Sequence, residues 1–296
     1  MTEVIRVSEL TRRFGRQNAV DNVSFSIQEG AIHGLLGRNG AGKTTIMQLL
    51  TAQDFPTSGA IEVFGQNPME NASVLSRISF IKESQKYPDV FRVKHVLKSA
   101  PWFFENWSTE FAEQLVDEFQ LPVNKKIKKL SKGQTSAVGV IVGLASRAPI
   151  TFFDEPYLGL DAVARQLFYD RLLEDYSEHP RTVILSTHLI DEVSNLLEHV
   201  ILIDKGRIIL DESADVIRGS ASTVSGSATE VDRFASGRNV LSRQQIGGLA
   251  TVTIEGLSAA ERKAAALAGL EITPVSLQQL MIQKTNSSER ELEKIS

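Results

Sequence analysis

Gly37-Arg38-Asn39-Gly40-Ala41-Gly42-Lys43-Thr44-Thr45 fits the phosphate-binding pattern G-x-x-x-x-G-K-[ST] without a mismatch. A loop that grips phosphate aims its backbone N–H groups inward at anionic oxygens, and glycines let the main chain turn tightly enough to do so. Lys43 is then expected to neutralise the outer phosphates. Thr44 would place its hydroxyl on a magnesium ion, and the helix that begins there would present its positive dipole end. The flanking sequence agrees: Ala31 to Leu36 reads as a short apolar strand entering the loop, and Thr44 to Leu50 as the helix leaving it.

Bulk properties bound the rest. A length of 296 residues predicts roughly two domains and leaves ample material for a buried core. With 42% hydrophobic and 23% charged residues the composition is that of a globular protein, and a formal net charge of -4 gives no global attraction for nucleic acid or an anionic membrane. The chain has no cysteine, which excludes disulfides, thiolate metal sites and cysteine nucleophiles and fits a reducing compartment. Met-Thr-Glu-Val-Ile-Arg at the N-terminus lacks the apolar core of a signal peptide, so a cytoplasmic location is expected. The most apolar stretch, Val138 to Ala145, is far shorter than the roughly 18 to 20 residues of a membrane span. Any membrane role therefore calls for a separate membrane partner.

Before the loop, Val4 to Val7 and Val23 to Ile27 alternate as a strand pair around a polar turn near Gly15. Phe14 lies in that turn region, where an aromatic ring either stacks on a purine or covers the sheet edge. After the loop, Phe55 to Gly59 reads as a turn, Ala60 to Phe64 as a strand, Arg77 to Ile81 as another, and Lys82 to Pro88 as a polar loop. Residues 90 to 129 read as mostly helical. Their aromatic cluster Trp102, Phe103, Phe104 and Trp107 is either the core of a helical subdomain or a docking surface. The lysine-rich run Lys125 to Gln134 reads as a solvated face, without the interleaved aromatics of a nucleic-acid site. Ser131, Gly133 and Gln134 precede the apolar stretch Val138 to Ala145 and make a capped helix start, a second potential anion site.

Ile150-Thr151-Phe152-Phe153-Asp154-Glu155 is an apolar strand ending in adjacent carboxylates, the pattern of a buried parallel strand feeding an active-site crevice. Asp154 is read as a magnesium ligand through water and Glu155 as the base that orients and deprotonates an attacking water. Leu158 to Asp161 is a turn into a helix from Ala162 to Tyr176, and Thr182 to Leu185 is a strand that ends at Ser186-Thr187-His188. His188 follows a strand expected beside the carboxylate strand, within reach of a γ-phosphate. Val200 to Leu210 reads as a hairpin closing the domain. From about Ser213 the composition becomes small and polar through Gly219 to Ser227. A helix near Ala228 to Ala235, strands near Ala250 to Ile254, a helix at Ser258 to Ala268 and a last one near Ser276 to Gln283 follow, a compact accessory α+β domain with a frayed, charged terminus.

In their order these signals resemble the ATP-binding subunits of ABC transporters across residues 2 to 212. Gly37 to Thr44 resembles Walker A, Ile150 to Glu155 Walker B with its catalytic glutamate, and Leu130-Ser131-Lys132-Gly133-Gln134 the family signature. Leu158 to Asp161 is similar to the D-loop, His188 to the switch histidine and Phe14 to the aromatic that stacks on adenine. The resemblance implies an α/β fold, a P-loop NTPase ATPase domain over residues 1–212 with a helical subdomain at about 88–145, and a small accessory domain over 213–296. It implies ATP and Mg2+ as cofactors, and Glu155, His188 and Lys43 as catalytic residues. Thr44 and Asp154 would serve the metal, and Arg38, Asn39, Gly40, Ala41, Gly42, Thr45 and Asp161 would join the nucleotide contacts. Two subunits, alike or different, would sandwich two ATP molecules, each held by Walker A of one chain and by Ser131, Gly133 and Gln134 of the other.

The sequence departs from the family pattern at two positions. Lys132 stands where the commonest signature has glycine, and the Q-loop position counted from the strand falls on Glu83, with Gln85 two residues later. Phe104-Glu105-Asn106-Trp107, the lysine-rich approach to the signature, and Thr273 to Leu277 resemble a bacterial branch of exporters of drugs and peptide antibiotics. The expected protein is an ATPase peripheral on the inner face of the cell membrane, powering a separate membrane-spanning permease that exports drug, peptide or lipid-like cargo. The alternative is a soluble ABC-type ATPase acting on nucleic acid or ribosomes. Such proteins carry two cassettes or long inserted coiled coils, neither of which is in this sequence, and no nucleic acid partner is expected.

Overall fold

The computed structural model describes residues 2–83 and 85–282. The chain divides into two compact units: one runs to His188 and resumes at Leu196–Asp211, and the other takes Leu189–Asn195 and the residues from Glu212 on.

The strands of the first unit are β1 Glu3–Phe14, β2 Gln17–Gln28, β3 Ile32–Leu36, β4 Ser58–Val63, β5 Ile78–Lys82, β6 Ile150–Asp154, β7 Thr182–Thr187, β8 His199–Asp204 and β9 Arg207–Ser213. They form a three-stranded antiparallel sheet in the order β2-β1-β4 and a six-stranded sheet in the order β5-β6-β7-β3-β8-β9. Every residue of β3, β6 and β7 is buried, as expected of a parallel sheet covered on both faces. That is why these strands are mostly apolar in sequence, with β6 and β7 ending in polar residues. Register then gathers the polar ends: Lys82 pairs with Asp154, Asp154 with Ser186, and Leu36 with Thr187. Ser58 and Gly59, expected in a turn, already belong to β4.

The helical portion is more broken than its sequence suggests. Residues 90 to 129 hold the helices Val93–Ser99 and Thr109–Glu118 and the 3-10 turns Ala100–Trp102 and Ile127–Lys129, with loops between. Pro101 lies at the start of the first 3-10 turn, where its missing N–H and fixed ring prevent the α-helix from simply running on. Phe111, Leu115 and Val116 are buried, whereas Trp102 and Phe103 are 79% and 66% exposed. None of the aromatic cluster is fully buried: Phe104 and Trp107 are half-buried and Trp102 and Phe103 face outward, while the core of this portion is made by Phe111, Leu115 and Val116. The longer helix Lys132–Ser146 buries all of Ala137 to Ser146. Gly143 lets it lie close on the sheet, since a methyl group there would stand 2.5 Å from Phe153 Cε1 and 2.7 Å from Ile81 Cγ1.

The second unit contains β10 Ala221–Ser227, β11 Val240–Ile246, β12 Leu249–Glu255 and β13 Glu271–Pro274, an antiparallel sheet in the order β11-β12-β10-β13. The helices Ala228–Ala235 and Ala259–Leu267 cover it, around Val224, Val231, Val252, Ile254, Ala265 and Leu270. The α+β architecture matches the expectation, but the small, polar stretch 219–227 supplies a central strand instead of a plain change of composition. Residues 277–282 are helical. Gln283, the last residue of the helix expected there, and the charged terminus lie outside the described residues. Among the described residues no helix is long and apolar enough to cross a membrane.

Candidate functional site

The loop after β3 wraps the start of the helix Lys43–Leu50. Gly42 has a φ of 116°, and a Cβ on it would stand 2.5 Å from the Ala19 carbonyl oxygen, so the backbone path excludes any other residue there. Lys43 is buried, and its Nζ donates to the carbonyls of Gly37 and Arg38 at 2.9 and 3.2 Å. It also lies 3.4 Å from Glu155 Oε1. Thr44 donates its hydroxyl to Asp154 Oδ2 at 2.7 Å, and Ser186 donates to Asp154 Oδ1 at 2.6 Å. Both oxygens of this buried carboxylate are therefore held by neighbouring hydroxyls.

Glu155 follows with a φ of 47°, a left-handed conformation that side chains other than glycine seldom adopt and that needs support from its surroundings. The support is visible. Its N–H donates to both the carbonyl and the hydroxyl of Ser186, at 3.3 and 3.2 Å, and its Oε2 lies 2.9 Å from His188 Nδ1. The strained residue thereby turns its carboxylate between Lys43 and His188. Behind them, the Tyr157 hydroxyl lies 2.6 Å from Thr187 Oγ1 and accepts the His188 backbone N–H at 3.2 Å.

These groups open into one cleft of about 530 Å³, lined by Ala19, Asn39, Gly40, Gly42, Lys43, Thr44, Thr45, Glu83, Asp154, Glu155, Leu158 and His188. It stands at the C-terminal ends of parallel strands, where open α/β sheets bind ligands. The paired Thr44 hydroxyl and Asp154 carboxylate are hard oxygen donors and fit a magnesium ion that keeps several waters and takes its other oxygens from phosphate. Among the described residues no group of three or more His, Cys, Asp or Glu side chains converges on a metal.

Other expected site residues lie elsewhere. Phe14 ends β1 half exposed, with the Arg12 guanidinium 4.4 Å from its ring centroid, and it is not among the residues lining the cleft. Of the two Q-loop candidates Glu83 lines the cleft. Gln85 lines a separate apolar groove of about 780 Å³ together with Tyr87, Phe91, Trp102 and Phe103. Ser131 and Gln134 cap the helix Lys132–Ser146 reciprocally, Ser131 Oγ accepting from Gln134 N–H at 3.1 Å and Gln134 Oε1 from Ser131 N–H at 3.2 Å. Gly133 packs on the turn beyond Glu155, where a Cβ would stand 2.5 Å from the Gly159 carbonyl oxygen. None of the three lines the cleft of its own chain. Asp161 caps the helix Ala162–Glu178 by accepting from Ala164 N–H at 2.8 Å.

Ser186 and Tyr157 also serve the site, and no motif in the linear sequence marks them. The signal for Ser186 is the pairing of two apolar strands that each end in a polar residue. For Tyr157 it is a large aromatic set between a proline and a glycine turn.

A family model described as "ABC transporter" matches residues 20–158. The chain is similar to an uncharacterized ABC transporter ATP-binding protein, MJ1023, of Methanocaldococcus jannaschii, with 33% identity over 216 residues that cover 70% of this chain and 76% of that relative. It is also similar to the bacitracin transport ATP-binding protein BcrA of Bacillus licheniformis, 31% identical over 210 residues covering 70% and 69%. Among solved structures, that of an ATP-binding subunit of an ABC transporter superposes with a TM-score of 0.65 at 24% identity, covering 73% of this chain and 92% of the other.

Proposed function

The chain belongs to the ABC transporter family, and from that premise we propose that it binds and hydrolyses ATP to power a separate membrane-spanning subunit. The observation that carries this reading is the single cleft that joins the Thr44–Asp154–Ser186 hydroxyl and carboxylate set to the Lys43–Glu155–His188 set. The backbone of the loop and Lys43 hold the phosphates. Thr44 and Asp154 would hold magnesium, which would supply charge neutralisation to the phosphate oxygens. Glu155 orients and deprotonates the attacking water, and His188, 2.9 Å from its carboxylate, stabilises charge on the terminal phosphate. Lys43, now on the Gly37 and Arg38 carbonyls, exchanges these contacts for phosphate oxygens as nucleotide enters.

Ser131, Gly133 and Gln134 form an exposed, capped helix start whose N-terminus suits an anion, and it serves the nucleotide of a second chain. The apolar groove beside Trp102 and Phe103 is the surface offered to a helix of the membrane subunit. Burial pushes the pKa of the Tyr87 hydroxyl up, and among the described residues that buried oxygen has no hydrogen-bond partner at the groove. The likeness to a bacitracin transport protein supports a role in transport; the finer reading is an exporter of drug, peptide or lipid-like cargo, placed on the inner face of the cell membrane through its partner.

Glu155→Gln tests the reading. It removes the base but keeps the side-chain shape, so steady-state hydrolysis should fall at least a hundredfold, a loss in line with that of a general base, while ATP now holds two chains together through size-exclusion chromatography. Normal turnover in that variant would remove Glu155 from the reaction.

A further inference from the structure

The two positions at which the sequence departs from its family pattern touch each other. Lys132 Nζ lies 2.9 Å from Glu83 Oε1, 49 residues away in sequence. Glu83 belongs to the cleft, and its N–H donates to the Asp154 carbonyl at 3.0 Å. Lys132 opens the helix that carries the signature. Its stem is confined as well, because a Cβ at Gly159 would stand 2.9 Å from Lys132 Cγ, and Ser136 one turn on donates to the Leu158 carbonyl at 2.6 Å. The same helix lies tightly on Ile81 in the strand that delivers Glu83. Lys132 thus stands where the helix start, the turn beyond Glu155 and the metal side of the cleft meet.

We infer that Lys132 is a positioning residue for Glu83. Its ammonium draws the Glu83 carboxylate toward the signature helix and offsets the third negative charge that Glu83 adds to a cleft already holding Asp154 and Glu155. The pair ties the metal side of a chain's own nucleotide site to the helix start that serves its partner's nucleotide. This inference rests on the nucleotide reading of the cleft given above. The pair is exposed, so its effect is modest and screened by salt.

The experiment is a double-mutant cycle on the full chain with Lys132→Met, Glu83→Gln and both together. Methionine keeps the length of the stem and removes the charge. Two quantities are read: Mg2+ affinity, by magnesium titration of a fluorescent ADP analogue without turnover, and kcat for ATP. With Lys132→Met, Glu83 is an uncompensated anion beside Asp154, so Mg2+ should bind about threefold more tightly, a shift of the size exposed pairs produce, while kcat falls. General damage to the fold would weaken both. Glu83→Gln should weaken Mg2+ binding, and adding Lys132→Met to it should change Mg2+ binding no further. Lys132→Arg should restore the parent behaviour, and high salt should shrink the difference. Parent-like or weaker Mg2+ binding in Lys132→Met, or additive effects in the double variant, would overturn the inference. A parent chain that binds no magnesium nucleotide would overturn the nucleotide reading itself.

Discussion

Tyr157 is almost fully buried, yet its hydroxyl touches Thr187 Oγ1 at 2.6 Å, the His188 N–H at 3.2 Å and His188 Nδ1 at 3.4 Å. Removing that oxygen deletes these contacts, each with a net worth on the order of 0.5–1.5 kcal/mol. Tyr157→Phe keeps the ring, whose centroid lies 6.0 Å from that of His188. The variant should lose about 1–2 kcal/mol in a denaturant titration. Its kcat should fall roughly tenfold, because His188 loses an anchor worth about that much free energy. The KM for ATP should hold, since Tyr157 does not line the cleft. Unchanged kcat would make Tyr157 a packing residue only. At this scale the loop Gly37 to Thr45, Asp154, Glu155 and His188 are legible because each is a polar residue set where an apolar run ends. Ser186 acts through the register of β7 on β6, and Tyr157 through a fold-back across 30 residues, neither of which a linear pattern encodes. That Glu83 and not Gln85 lines the cleft likewise follows from pairing: β5 ends at Lys82 opposite Asp154, so Glu83 stays at the cleft while Gln85 lines the apolar groove.

Helix Lys132–Ser146 shows how an element is held in place. Gly143→Ala gains about 1 kcal/mol of helix propensity, but its methyl group would overlap the Phe153 ring and Ile81. Overpacking of this kind costs about 1–3 kcal/mol, so a net loss is expected, read as a lower urea midpoint. Gly139→Ala is the comparison: its nearest contact is Ile81 Cγ2 at 3.1 Å, and it should be close to neutral. Equal midpoints for the two variants would show that the helix moves off the sheet at little cost. Among elements, β3, β6 and β7 are legible because burial on both faces writes a continuous apolar run. β10 is not. Ala221-Ser222-Thr223-Val224-Ser225-Gly226-Ser227 contains one large apolar residue, and it becomes a strand because β12 and β13 pair with it on either side and the helix Ala228–Ala235 follows. Tertiary pairing overrides local composition there.

For the whole molecule, the chain beyond β5 links the two surfaces on which the proposed function depends. Glu83 lines the nucleotide cleft, and Gln85, Tyr87 and Pro88 line the apolar groove, so the chain passes from one surface to the other within two residues. A partner seated in the groove is thereby placed to feel changes in the cleft. Large aromatics left exposed at the edge of an apolar groove are anchors of the kind that dominate protein interfaces. Trp102→Ala with Phe103→Ala removes two such side chains while leaving the cleft residues in place. The expected outcome is a loss of about tenfold or more in retention of the membrane subunit when the complex is purified from detergent-solubilised membranes. Nucleotide affinity should stay within about twofold of the parent, because the change falls outside the phosphate and metal contacts. Full retention of the membrane subunit would move the docking surface away from this groove. Loss of nucleotide binding together with the partner would instead mean that the groove supports the fold of the cleft.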